Sequence, residues 1–297
     1  MPAASAPGTH TAPVQVDLVA DPAEFADRTG AWLASEPFTA NVIAVLLDGV
    51  VAGTRSTIPD PAWVMVTDAA GGVIGAAMHT APIGVFLPRL PTGAAAAIAR
   101  EFARVGRVVA GVSGERSAAD EFAAAWEAVT GSLAGRIRAE RMFRLAGLAT
   151  PASVPGAARA AGSGDVELAV DWFTGFAADI GEHSSSVAEL TEAARRRTVA
   201  AEVMLWENEA GVVSLAAASP SAGGVARIGP VYTPPAHRRH GFAAAVTAAA
   251  AARAVATGAR EVVLYTDLAN PTSNGVYRRL GFEPVFDAAR LAFETRG

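Results

Sequence analysis

The sequence predicts an α/β (α+β) chain built as two tandem copies of one unit, and three observations carry that expectation. Between Val225 and Leu280, runs of β-branched residues alternate with an alanine-rich helix and a short proline-started helix. Two segments repeat: Val64-Met65-Val66-Thr67-Asp68 through Gly72-Val73-Ile74 resembles Val203-Met204-Leu205-Trp206-Glu207 through Gly211-Val212-Val213 at a constant offset of 139, and Arg144-Leu145-Ala146 is echoed by Arg290-Leu291-Ala292. A stretch of small residues, Ala149 to Asp165, separates the copies and has the composition of a linker. The expected organisation is a disordered tail at 1–14, a first unit at 15–148, a linker at 149–165 and a second unit at 166–297.

In chain order, Asp21 to Ser35 and Phe38 to Leu47 read as helices split by Pro37. Trp63 to Thr67 and Val73 to His79 read as strands around a Gly-containing turn, with a further strand at Ile83 to Leu87. A helix is expected over Gly93 to Val105, a strand over Arg107 to Val112, a helix over Ser117 to Val129 and a strand over Arg138 to Leu145. Beyond the linker, helices are expected at Val166 to Ile180 and Val187 to Ala200, and a hairpin at Val203 to Trp206 and Val212 to Ala218. Val225 to Thr233 follows as a strand, stopped by Pro234 and Pro235, which have no N–H to give a ladder. Ten alanines between Ala243 and Ala256 make the next helix firm. Glu261 to Thr266 is a buried-strand pattern, Asn270-Pro271 a helix start, Gly281 a helix stop, and Ala288 to Glu294 a last strand.

Composition narrows the chemistry. The 297 residues carry a formal net charge of −5 and 51% hydrophobic residues, ample for two cores and unsuited to broad binding of nucleic acid. The absence of cysteine excludes disulfides, zinc–thiolate sites and thiol nucleophiles, and no metal is expected. No basic n-region precedes an apolar core at the start, so no signal peptide is expected and the expected location is cytoplasmic. The longest apolar runs, Thr39 to Gly53 and Gly241 to Ala259, are broken by Asp48 and Arg253, which argues against a membrane span.

The chemistry concentrates after the strand ending at Thr233. The turn His237-Arg238-Arg239-His240-Gly241 opens the alanine-rich helix, and the free N–H groups of a helix start form a cradle for an anion. Gly241 allows close backbone approach, and Arg238 and Arg239 add forked donors that suit phosphate. Tyr277 lies four residues after Ser273, so the two share a helix face.

With these residues in view, the chain resembles the GNAT superfamily of acyl-CoA-dependent N-acyltransferases. Arg238-Arg239-His240-Gly241-Phe242-Ala243 fits that family's Gln/Arg-x-x-Gly-x-Gly/Ala turn, and Asn270, Ser273 and Tyr277 before Leu280-Gly281-Phe282 resemble its second signature. The resemblance implies two GNAT-like domains, each a mixed, mostly antiparallel central sheet flanked by helices. It implies direct transfer, in which an amine attacks the thioester of acetyl-CoA, with acetyl-CoA and an amine acceptor as partners and a homodimer left open. Val231, Tyr232 and Thr233 would pair with the pantetheine arm and offer an N–H to the thioester carbonyl. Backbone N–H groups from Arg239 to Ala243 would take the pyrophosphate, with Arg238 at the entrance, His240 and Phe242 within the turn, and Asn270 and Ser273 in the second signature beside it. Tyr277 would protonate the leaving thiolate. For the base, Glu182, His183, Glu207, Asp267 and a water chain stay open. The N-terminal copy reads Arg89-Leu90-Pro91-Thr92-Gly93 at the matching turn, where Pro91 removes a donor and leucine replaces the basic residue. That copy is expected to hold no cofactor. The expected function is acetyl transfer to a primary amine of a small molecule or peptide. The alternative is an acyl-CoA-binding protein without turnover, and a tandem aminoacyl-transferase using charged tRNA is disfavoured by the acidic balance.

Overall fold

The computed structural model describes residues 14–54, 61–81, 83–181 and 186–294. The first half runs β1 (Gln15–Val19), α1 (Pro22–Ser35), α2 (Asn41–Val51), β2 (Ala62–Thr67), β3 (Val73–Thr80), β4 (Gly84–Leu87), α3 (Ala94–Arg104), β5 (Gly111–Glu115), α4 (Arg116–Thr130) and β6 (Leu133–Leu145). The second half repeats that order as β7 (Ala157–Ala160), α5 (Val166–Asp179), α6 (Val187–Val199), β8 (Val203–Asn208), β9 (Gly211–Ala218), β10 (Val225–Tyr232), α7 (Phe242–Ala256), β11 (Glu261–Asp267), α8 (Pro271–Arg279) and β12 (Phe282–Glu294).

All twelve strands join one sheet, ordered β1-β2-β3-β4-β5-β12-β6-β11-β10-β9-β8-β7. Among the described residues only β4–β5 and β10–β11 pair in parallel. The order is palindromic, with the last strand of each half exchanged at the centre. β12 pairs with β5 of the first half, β6 pairs with β11 of the second, and β6 and β12 pair with each other from Phe282↔Leu145 to Glu294↔Leu133.

Each face of the sheet carries four helices, because the strands alternate apolar side chains to both sides. On one face Ile98 and Phe102 of α3 and Phe122 and Trp126 of α4 pack on Val64, Val85 and Leu87. On the same face α7 brings Val246, Ala250 and Ala254 onto Ile228, Val262 and Leu264, with Leu280 closing the end of α8. The other face holds α1 and α2 on Trp63 and Met65, and α5 and α6 on Leu205 and Leu215. Phe38, ahead of α2, reaches across the midline to the cluster of Met142, Val225 and Val263, so this second face is also continuous through the centre.

Several elements differ from the sequence expectation for identifiable reasons. β1 and β7 are additional to the expected strands. β1 is short, and β7 lies inside the stretch expected as linker, where the Ala-Ala-Arg-Ala composition hides its strand character. Its place is set by pairing with β8 and by Arg159, which bonds both Glu207 and Asp165. β5 begins at Gly111 and not at Arg107. A Cβ at Gly111 would sit 2.5 Å from the Leu291 carbonyl oxygen, and one at Gly114 1.8 Å from that of Leu87, so close backbone approach demands glycines that weaken the local strand signal. β6 and β12 extend beyond the expected segments because each pairs along its length with the other. The expected disordered tail lies outside the described residues except for Val14.

Candidate active site

β10 and β11 run in parallel only from Val225↔Glu261 to Ile228↔Leu264. Beyond that β10 stays with β9, through Val231↔Ala216 and Tyr232↔Leu215 after a register shift, while β11 stays with β6 as far as Asp267↔Glu140. The strands part, leaving a notch through the sheet with backbone of Gly229–Tyr232 on one side and Tyr265–Asp267 on the other. The divergence is held from the α5/α6 face. The Arg197 guanidinium donates to the Gly229 carbonyl at 2.6 Å and to Glu202 at 2.9 Å, in a setting buried enough that desolvation lowers its pKa to about 10. Ser214 bonds the Tyr232 carbonyl at 3.1 Å and Thr233 Oγ1 at 2.8 Å, anchoring the far end of the strand. Val231, Tyr232 and Thr233 thus lie where an added strand of ligand could pair. The Tyr232 ring itself packs against Trp172 of α5.

The anion turn sits directly above. Gly241 caps α7 with φ 83° and Arg239 takes φ 68°, so two left-handed residues curl the backbone around the helix start. The first helical bond is Ala245 N–H to the Gly241 carbonyl, and among the described residues nothing accepts from the N–H groups of Arg239 through Ala244. These donors converge with the positive end of the helix dipole, an arrangement that fits a pyrophosphate. A Cβ at Gly241 would lie 3.2 Å from Val154 Cγ2, so the approach to the turn is tight. The Arg238 guanidinium does not face the cradle alone: it bonds the Thr233 carbonyl at 2.9 Å and Asp179 of α5 and lies over the Tyr232 ring, bracing the turn against α5. His240 stacks on Phe242, whose ring is buried, and Ala243 stands in the first turn of α7.

Asn270 caps α8, its side chain accepting from Ser273 N–H at 3.0 Å, while Asn274 bonds the carbonyls of Asp267 and Asn270. Asn270 therefore fixes the direction of the helix that presents Tyr277. The Tyr277 ring packs edge-on to Phe282 at 6.1 Å, and burial pushes its pKa up to about 12. No described group bonds its hydroxyl, so it remains neutral and free to donate.

The base candidates separate clearly. Glu182 and His183 lie outside the described residues. Glu207 is held by Arg159 at 2.6 Å toward the β7 edge, two strands from the notch. Asp267 lies at the notch, its carboxylate accepting from Ala269 N–H at 2.7 Å and standing 3.7 Å from Arg138. Sequence reasoning missed Glu140, which the exchange of β6 places beside Asp267.

The matching turn of the first half is closed from within. Gly93 caps α3 with φ 91°, as Gly241 caps α7, yet its N–H donates to the Glu121 carboxylate at 2.6 Å and Ala94 N–H donates to the Pro91 carbonyl. A carboxylate of the chain itself thus takes a donor that an external anion would use. Among the described residues no group of three or more His, Asp or Glu could hold a metal ion.

Residues 168–282 match the model of the Acetyltransferase (GNAT) family. No curated protein sequence matches the chain. Among solved structures, the chain is similar to a GCN5-related N-acetyltransferase from Sphaerobacter thermophilus, with 17% identity, a TM-score of 0.64 and coverage of 97% of this chain and 98% of that one. It is similar to a GCN5-related N-acetyltransferase from Kribbella flavida at 20% identity and TM-score 0.55, covering 88% and 96%. A tandem GNAT protein from the clavulanic acid biosynthesis pathway matches at 17% identity and TM-score 0.53, covering 96% and 99%. The family match falls on the half with the open cradle and the notch, and the likeness in fold to GNAT N-acetyltransferases spans both halves.

Proposed function

We propose that the second half binds acetyl-CoA and transfers its acetyl group to a primary amine of a small molecule or peptide. The observation that carries this reading is the pairing of an open anion cradle at Arg239–Ala244 with a notch in the sheet and a free tyrosine hydroxyl on the neighbouring helix. The cradle would take the pyrophosphate. The unpaired edge of β10 would pair with the pantetheine amides, and an N–H of Val231–Thr233 would polarise the thioester carbonyl. The amine nitrogen forms the new C–N bond as the C–S bond breaks, and Tyr277 gives its proton to the leaving thiolate. No helix among the described residues is long and apolar enough to cross a membrane, and we place the protein in the cytoplasm.

Calorimetry with acetyl-CoA, followed by thiol release over a panel of primary amines, tests the reading. Gly241→Glu sets bulk and negative charge in the cradle and forces a side chain into a left-handed backbone. The folded variant is expected to lose acetyl-CoA binding; unchanged affinity would show that the pyrophosphate sits elsewhere. Tight binding by the wild type with no thiol release from any amine would favour a binding protein over an enzyme.

A further inference from the structure

The strand exchange puts residues of the first half into the site of the second. Directly opposite residues of β6 and β11 share a sheet face, and Met142↔Tyr265 lies on the face covered by α2, α5 and α6. Two residues further, Glu140↔Asp267 lies on that same face, with Ala288 of β12 on the other side of Glu140. This is the last paired row before β11 ends, level with the notch. The cradle is on the opposite face, with α7. A ligand whose phosphates sit in the cradle and whose acyl end passes through the notch therefore emerges on the Glu140 side. Strands stand about 4.8 Å apart, so one water spans from the β6 row to the β11 edge of the notch.

The surroundings of Glu140 suit proton traffic better than a structural ion pair. Arg138 Nη1 is 3.6 Å from its carboxylate, a long contact, and the same guanidinium is shared with Asp267 and with the Ile180 carbonyl at the end of α5. The Glu140 side chain keeps 25% of its surface, enough for water to reach it. Among the described residues the Tyr265 hydroxyl, close enough to feel the Glu140 charge, is buried without a hydrogen-bond partner. The charged and titratable groups around Glu140 are Arg138 on β6, Arg290 on β12 and Asp267 and Tyr265 on β11, with Arg227 of β10 beyond Tyr265.

We propose that Glu140, carried by the last strand of the first half, accepts the proton of the acceptor ammonium across one water at the notch of the second half, with Asp267 beside it holding the cationic amine. The inference rests on the acetyl-transfer reading. One proton passes from the ammonium to the Glu140 carboxylate. The amine lone pair forms the C–N bond, the C–S bond breaks, and Tyr277 protonates the thiolate. The second nitrogen proton then replaces the one Tyr277 gave. The products are amide, CoA thiol and one proton that Glu140 returns to solvent. Desolvation raises the Glu140 carboxyl above the usual carboxylate range, against the lowering effect of Arg138 and Arg290, which brings it nearer the strength a base needs at neutral pH.

The full-length protein, Glu140→Gln and Glu140→Asp are compared by calorimetry with acetyl-CoA and by thiol release with the amine panel from pH 6 to 9. Glu140→Gln is expected to bind acetyl-CoA as the wild type does, to lose roughly 10²-fold in kcat and to lose the acidic limb of its kcat/KM profile. Glu140→Asp is expected to restore the limb at an intermediate rate. An unchanged profile in Glu140→Gln would overturn the assignment while leaving acetyl transfer standing. A readout free of the acceptor uses carboxyl-labelled glutamate: the resonance missing in Glu140→Gln should move when acetyl-CoA saturates the protein. Saturation without movement rejects the proposal whatever the amine, and failure of the wild type to bind acetyl-CoA rejects the acetyl-transfer reading on which it rests.

Discussion

Tyr277 is poised by three separate contributions of its neighbours. Asn270 sets the helix start, Phe282 fixes the ring, and burial keeps the phenol protonated. A neutral phenol with no internal partner can give its proton to a thiolate and recover it, whereas a hydroxyl already donating would have to break a bond first. Tyr277→Phe keeps the ring against Phe282 and removes only the donor. Acetyl-CoA affinity by calorimetry should hold, while kcat falls by roughly 10²–10⁴-fold, the span for losing an acid. A rise confined to KM would make the hydroxyl a ground-state contact, and full activity would leave water as the donor. Glu140 yields a second signature at this scale. Its folded pKa is raised, so the folded state favours the protonated form more than the unfolded state does: the stability it contributes is present at low pH and lost as pH rises through the folded value. Glu140→Gln removes that loss, so the melting temperature of the variant should gain on the wild type toward neutral pH and not in acid.

Among the elements, those with strong local chemistry were legible in the sequence. The alanines of α7, the Asn270-Pro271 start of α8, the Gly241 turn and the Val/Leu run of β11 each carry their own cause in a few adjacent residues. Tyr277 and the turn before α7 could be offered as candidates from the sequence for that reason. Elements and residues defined by what they pair with were not legible. β7 has no pattern of its own, and Glu140 looks like any charge in a strand until the register beside Asp267 is known. Arg197 belongs to the same class: in sequence it is one of three successive arginines, and in the fold it alone reaches the Gly229 carbonyl. That bond, with the Glu202 pair behind it, holds β10 away from β11. Arg197→Met would leave the buried Glu202 with only the Arg196 guanidinium at 3.8 Å and the Gly229 carbonyl without its donor, an arrangement that costs about 3 kcal/mol. Denaturant unfolding should show a loss of that size, with weakened acetyl-CoA binding in the protein that remains folded. Unchanged acetyl-CoA affinity would mean the notch is held open by β9 and Ser214 alone.

At the scale of the whole molecule, the central exchange makes the two halves one folding object. β5 finds its neighbour in β12, from the far end of the chain, and β11 finds its neighbour in β6. Arg116 of α4, Arg141 of β6 and Asp287 of β12 add an ionic tie across the same seam, in which hydrogen bonding to Arg141 draws the Asp287 carboxyl below its usual range. The first half therefore completes the sheet of the second and, through Glu140, reaches its notch, while its own cradle is closed by Glu121. We propose two functional consequences that can be measured together. Intact protein should titrate with one acetyl-CoA per chain, and Glu121→Ala, which frees the Gly93 N–H, should lower stability by about 1–3 kcal/mol without raising that stoichiometry, because Pro91 still lacks a donor. Residues 1–148 and 149–297 made as separate chains should each lack a strand that their sheet requires, and should fold and bind acetyl-CoA only when combined, as a 1:1 complex. Size-exclusion chromatography with light scattering and calorimetry on the two fragments, alone and mixed, reads both points. A lone 149–297 fragment that is monomeric and binds acetyl-CoA with wild-type affinity would show that the second half closes its own sheet in solution, and that β6 is a neighbour to the site and not part of it.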